Sequence, residues 1–269
     1  MIKYGFQTYT WQMSYEKYAD KFDHIADITK QGGLPGVGGE TCMLGRYYDS
    51  PEELKNMLAG KGLELAELCL VCDWLHNGET QEEMLHANKA IDFVSQFPNL
   101  MLVLCQMPQK DRANLTERQK NCLTCINNAA KRAADRGVKT VFHPNSPPGS
   151  VFRTLEDYKV MLDGFDSKYI GFAPDSGHII KGGMNVYDIF RNYVSVTKHV
   201  HFKDIGTDNG WCIMGEGITD FIKIIELLRC GGYSGYVLVE DESPLAEDDP
   251  DAAAIKNAEY IRNTLMTIR

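Results

Sequence analysis

Residues 115–143 read LTERQKNCLTCINNAAKRAADRGVKTVFH, and this stretch decides the fold. Leu115, Cys122, Ile126, Ala129, Ala130 and Ala133 recur at helical spacing, which predicts a helix over Leu115–Arg136. Gly137 follows where a left-handed C-terminal cap belongs, a backbone that glycine adopts without a Cβ clash. Val138–His143 then reads as a short strand buried on both faces. A helix running straight into a buried strand is half of a βα repeat, and that repeat recurs in both directions along the chain.

Strands are predicted at Tyr4–Thr10, Gly36–Glu40, Leu63–Leu70, Leu100–Gln106, Val138–His143, Tyr169–Asp175, Lys198–Lys203 and Gly235–Glu240. Helices are predicted at Tyr15–Gln31, Pro51–Gly60, Gln81–Phe97, Leu115–Arg136, Leu155–Leu162, Val186–Tyr193, Thr219–Arg229 and Pro250–Thr267. Thr80 with Glu83, and Thr116 with Gln119, fit the capping box. Asp249-Pro250 places an N-cap before a first-turn proline, and Gly62 marks a helix end. Asp241–Asp251 reads as an acidic, mobile loop.

Eight βα units without a break in composition predict one domain, residues 1–269. The expected architecture is a single α/β (β/α)8 TIM barrel with eight parallel strands; about 250 residues is the usual size of that fold. The alternative, an open doubly wound sheet, wants a phosphate loop after its first strand. The glycine-rich run Gln31–Gly39 instead enters strand two, so it reads as a turn with a close backbone approach.

A chain of 269 residues, 43% of them hydrophobic, can bury a large core. Its net charge of −9 argues against a phosphate-backbone partner, so no nucleic acid is expected. No apolar run approaches the roughly 18 residues of a membrane span, and no signal-type segment opens the chain, so no membrane partner is expected. Eight cysteines then read as reduced thiols in a cytoplasmic protein. Cys122 with Cys125, and Cys69 with Cys72, form two CxxC pairs. One lies in a helix and the other at a strand end, so both read as buried small side chains rather than a zinc or redox site. Monomer and homo-oligomer both stay open.

Four predicted strands end in metal-type side chains: Val141-Phe142-His143, Ala173-Pro174-Asp175, His199-Val200-His201 and Leu238-Val239-Glu240. In a parallel barrel, strand C-termini converge on one face, where the βα loops build the site. Mixed imidazole and carboxylate donors suit a catalytic divalent cation. His143, Asp175, His201 and Glu240 are therefore the expected metal ligands. His199 lies deeper on the parity of His201 and reads as an interior histidine, while Glu242 shares the parity of Glu240 and is its alternative. Lys203 either polarises a substrate oxygen or pairs with Asp204 or Glu216. Trp11, Trp74 and Trp211 are candidates for stacking on a sugar ring.

The runs Phe172-Ala-Pro-Asp-Ser-Gly-His178, Lys198-His-Val-His-Phe-Lys-Asp204, Gly215-Glu-Gly-Ile-Thr-Asp-Phe221 and Gly232-Tyr-Ser-Gly-Tyr-Val-Leu-Val-Glu-Asp-Glu242 resemble the xylose-isomerase-like TIM-barrel superfamily. The likeness covers about the last half of the chain at motif level. That superfamily includes sugar phosphate isomerases/epimerases, the endonuclease IV group and the inosose dehydratases, and the motifs here are most similar to the last. The resemblance implies one divalent metal ion, Mn²⁺ or Co²⁺ before Zn²⁺ or Mg²⁺. It implies His178 as a substrate-facing residue, Glu240, His178 and Lys203 as catalytic residues, and Trp11, Trp74, Gln106, His178, Trp211 and Glu216 as substrate-binding ones.

The chain departs from the epimerase pattern at strand five, where His143 stands in place of a glutamate. Two-carboxylate epimerisation loses its second base, and one-base elimination from a keto-sugar or keto-inositol becomes the expected reaction. The enzyme is accordingly expected to be a metal-dependent lyase, with isomerase/epimerase activity as the alternative. A catalytically inactive sugar-binding barrel is a third reading. An endonuclease is disfavoured by the net charge and by Gln106, which ends strand four where that group has histidine.

Overall fold

The computed structural model describes residues 1–268, and its strands follow the βα rhythm of the sequence. The strands are β1 (Lys3–Gln7), β2 (Gly36–Glu40), β3 (Glu64–Cys72), β4 (Met101–Gln106), β5 (Lys139–Phe142), β6 (Ile170–Phe172), β7 (Val200–Phe202), β8 (Asp204–Ile205), β9 (Trp211–Cys212) and β10 (Tyr236–Val239). Eight form one parallel sheet in the order β6-β5-β4-β3-β2-β1-β10-β7. Bridges from Phe172 to Thr197 and from Asp175 to His201 join its two ends, so the sheet closes into a ring. β8 and β9 form a separate antiparallel hairpin above β7. No described helix is long and apolar enough to cross a membrane.

Strand alternation sorts side chains between two cores. Phe6, Val37, Leu68, Leu102, Phe142, Phe172, Phe202 and Val239 face outward into the main cluster beneath the helices. Cys69, Val103, Cys105, Val141 and Ala173 form a smaller cluster inside the ring. The helix Leu115–Ala134 buries Cys122, Cys125, Ile126, Ala129, Ala130 and Ala133, the face its spacing predicts. All four CxxC cysteines are buried and free. Cys69 belongs to the inner cluster and Cys72 to the outer one, so that pair cannot share a metal.

The inward positions of β2 are Gly36, Gly38 and Glu40. A Cβ on Gly38 would lie 2.5 Å from Leu238 Cδ1 and 2.7 Å from Glu67 Cγ, so glycine makes room for larger side chains from β3 and β10. Gly38→Ala is expected to destabilise the barrel by ~1–3 kcal/mol through overpacking. A denaturation midpoint equal to that of the parent would refute this account of β2.

Several local expectations change. Thr116 lies inside its helix, whose N-cap is left-handed Asn114, because Gln119 donates instead to Val151 O at 2.8 Å and Asp157 Oδ1 at 2.9 Å. Thr80–Glu83 does form a capping box, and Asp249 caps the last long helix. Residues 15–31 split into helices Tyr15–Tyr18 and Phe22–Gln31. Asp241–Asp251 is ordered rather than mobile. Asp241 is buried and accepts from Ser243 N, while Ser243 caps the short helix Pro244–Asp248.

Candidate active site

His143, Asp175, His201 and Glu240 all follow the inward parity of their strands, and β5, β6, β7 and β10 are consecutive around the ring. Their ligand-type atoms lie within 4.8 Å of one another, and all four residues are buried. His143 Nε2 is 3.7 Å from Asp175 Oδ2, and His201 Nδ1 is 3.3 Å from Glu240 Oε2. His143 Nε2, Asp175 Oδ2 and His201 Nδ1 have no hydrogen-bond partner. Three orphaned buried atoms converging on one point are costly without a guest. Two imidazoles and two carboxylates fit a divalent ion of intermediate hardness.

Asp175 serves two elements at once. Its Oδ1 accepts from His178 N at 2.8 Å and caps the helix Ser176–Lys181, which leaves Oδ2 for the cluster. Burial alone would raise its carboxyl, but His178, His143 and Lys203 outweigh that and hold it well below the usual range. Glu240 behaves alike: burial opposes its charge, and Lys203 and His201 bring it down to about 2.

Glu67 is the residue missed from sequence. Its Oε2 lies 2.7 Å from His199 Nε2 and 2.8 Å from His201 Nε2, one layer below the cluster. With Nε2–H donated to this carboxylate, His201 keeps its lone pair on Nδ1, the atom that faces Glu240. The available signal was a charged residue inside the apolar strand Glu64–Cys72. His199 is the interior, hydrogen-bonded histidine that its depth suggests. Glu67→Gln is expected to weaken divalent-ion binding by ~10–100-fold while the barrel stays folded. Chelator competition that gives an unchanged affinity would remove Glu67 from this role.

Lys203 is buried between Glu240 Oε1 and Glu242 Oε1, not paired with Asp204 or Glu216. Burial opposes its charge, but the two glutamates more than compensate and raise it well above the usual lysine range. Its Nζ is 3.2 Å from His178 Nε2, and His178 Nδ1 is 2.8 Å from Ser146 Oγ. Burial and the Lys203 charge depress His178 to about 3. A neutral His178 accepts from Lys203, so the structure corrects its expected role as an acid. Asp204 instead accepts N–H bonds from Gly215 at 2.9 Å and Gly217 at 3.1 Å, pinning the loop after β9.

A cavity of about 500 Å³ opens above the ring, with Gln106, His178, Trp211, Lys203 and Glu240 among its walls. Trp211 packs edge-on to His178 at 5.7 Å, and Lys181 lies 3.7 Å over its ring. Trp11 and Trp74 do not line this cavity. Trp11 is fully buried and donates to Asp251 Oδ1 at 2.7 Å, and Trp74 is fully buried in the outer core at φ 46°. Both serve as loop anchors. Glu216 is exposed and outside the cavity wall. Gln7, Tyr9, Gln12, Glu40, Cys69, Cys105 and Arg153 line it without having been singled out as substrate contacts.

The xylose isomerase-like TIM barrel family matches residues 26–264. An inosose dehydratase of Clostridium perfringens is 24% identical, over 97% of this chain and 97% of its own. The probable 3-DHS dehydratase AsbF of Bacillus anthracis superposes with a TM-score of 0.79 at 17% identity, covering 97% of this chain and 99% of that one. The IOLI protein, solved with a bound zinc atom, gives a TM-score of 0.79 at 16% identity over 97% and 96% of the two chains. With a match spanning nearly the whole barrel, this chain belongs to the xylose isomerase-like TIM barrel family.

Proposed function

We infer that the protein is a divalent-metal-dependent enzyme that removes water from a cyclic keto-polyol or keto-sugar. The observation that carries this reading is His143 at the end of β5. It joins the ligand cluster without adding a carboxylate, and Glu240 is left as the one basic carboxylate there. The likeness to inosose dehydratase supports the same choice.

His143, Asp175, His201 and Glu240 would hold the ion, with Mn²⁺ or Co²⁺ favoured. The chemistry such an ion supplies when bound is Lewis-acid polarisation of a ketone. Glu240, ionised throughout the working pH range, accepts the proton from the carbon beside that ketone. Lys203 stays charged and offers a fixed cation near the oxygen on which negative charge develops. Trp211 and Tyr9 present aromatic walls to the ring. Gln106, with its Nε2 engaged by Asp73 O at 2.9 Å, has its carbonyl oxygen left for a hydroxyl.

The test is incubation of Mn²⁺-loaded protein with inosose and a panel of ketoses in D₂O, followed by NMR. Dehydration with deuterium at the α-carbon is the expected result. Interconversion of ketoses without water loss would replace this reading with isomerase/epimerase activity on the same ligands. Binding with neither exchange nor conversion would make the barrel a sugar-binding protein.

A further inference from the structure

Neutral His178 leaves the dehydration reading without an acid for the departing hydroxyl. The mouth of the ring divides into two halves. The four ligand-bearing strands form one, and β1, β2, β3 and β4 form the other, with Gln7, Glu40, Cys69 and Cys105 facing inward. Glu40 is the one carboxyl among those four. It stands on β2, across the mouth from β6, and lines the cavity.

Its surroundings differ from those of every other acid in the cavity. Glu240 and Glu242 grip Lys203, whereas no described cation pairs with Glu40. Only 9% of it is exposed, and the Cys42 thiol, at 3.9 Å from Oε2, is a weak donor. Its backbone is held where the side chain must face the cavity, because Glu40 N donates to Thr8 Oγ1 at 3.0 Å. Gly36 and Gly38 below it leave the lower layers to other side chains, so β2 delivers one functional group, at the mouth. A buried carboxyl without a cation favours its neutral form.

We propose that Glu40 is a catalytic residue, the acid that protonates the hydroxyl leaving from the β-carbon; this rests on the dehydration reading above. The atoms balance without any further reactant. Glu240 takes the α-proton, and the C–H electron pair becomes the new C=C bond. The β-carbon–oxygen bond breaks, and the departing oxygen takes the Glu40 proton and leaves as water. Glu40 ends as a carboxylate and Glu240 as an acid, and proton exchange with solvent resets both. Burial is the main cause that raises the Glu40 carboxyl to about 8, so its proton is in place at neutral pH.

The experiment compares the parent with Glu40→Gln and Glu40→Asp, each Mn²⁺-loaded, on inosose and on its β-fluoro analogue, whose fluoride departs without an acid. Glu40→Gln is expected to keep α-deuterium exchange and fluoride elimination but to lose water elimination by ~10²–10⁴-fold, with Glu40→Asp in between. Independently of activity, the infrared band of a protonated carboxyl should appear in the metal-free parent and vanish in Glu40→Gln. Unchanged water elimination, or equal losses on both probes at unchanged metal content, would overturn the role. A parent that neither exchanges nor eliminates would defeat the dehydration reading itself, and the Glu40 role with it.

Discussion

Changing Asp175 and His201 together to alanine is expected to abolish the binding of one divalent ion per chain. The two side chains supply a hard oxygen and a borderline nitrogen, and both offer buried atoms with no other partner. The remaining His143 and Glu240 cannot enclose an ion between them. The loss should exceed the ~10–100-fold that removal of an outer partner such as Glu67 costs. The fold should survive, because the strand ends add little to the outer core. His143→Ala alone should weaken the ion by less, and His143→Glu would restore the carboxylate typical of the epimerases and favour proton return over elimination. Elemental analysis showing full occupancy in the double variant would dismiss the centre.

Glu240→Gln is expected to lower dehydration of inosose by ~10²–10⁴-fold, or ~3–5 kcal/mol in the barrier. The substitution keeps the shape of the side chain but removes the acceptor for the α-proton. It also takes a negative charge from Lys203, which would then be gripped by Glu242 alone. Because Glu240 belongs to the ligand cluster, metal content has to be measured beside the rate. The product is an enone or its tautomer, so rising near-ultraviolet absorbance follows turnover in the parent and should be nearly flat in the variant. A variant with full metal and the parent's rate would move the base elsewhere, with Glu242 as the next carboxylate to change.

The ring order and the four ligands were legible because they depend on short-range rules. Period-two alternation puts His143, Asp175, His201 and Glu240 on one face of their strands, and the βα rhythm makes those strands neighbours. Asp175 shows how a local ambiguity resolves: helix cap and ligand were competing readings, and its two oxygens satisfy both. Thr116 failed for the opposite reason. A capping box is a local pattern, but Gln119 found stronger partners in Val151 and Asp157, thirty or more residues away.

Local spacing along 269 residues was enough to establish a parallel barrel, its open end and a mixed-donor metal cluster, since each follows from which side of a strand or helix a residue occupies. Contacts between distant segments decided the rest. Glu67 orients His201 across 134 positions, and Trp11 turns from the cavity to reach Asp251 across 240. Lys203 takes Glu240 and Glu242 rather than its sequence neighbour, and thereby keeps its charge while His178 loses its own. The physical reason is that burial and charge pairing set protonation and side-chain direction, and both arise only when the ring closes and its loops pack over the mouth.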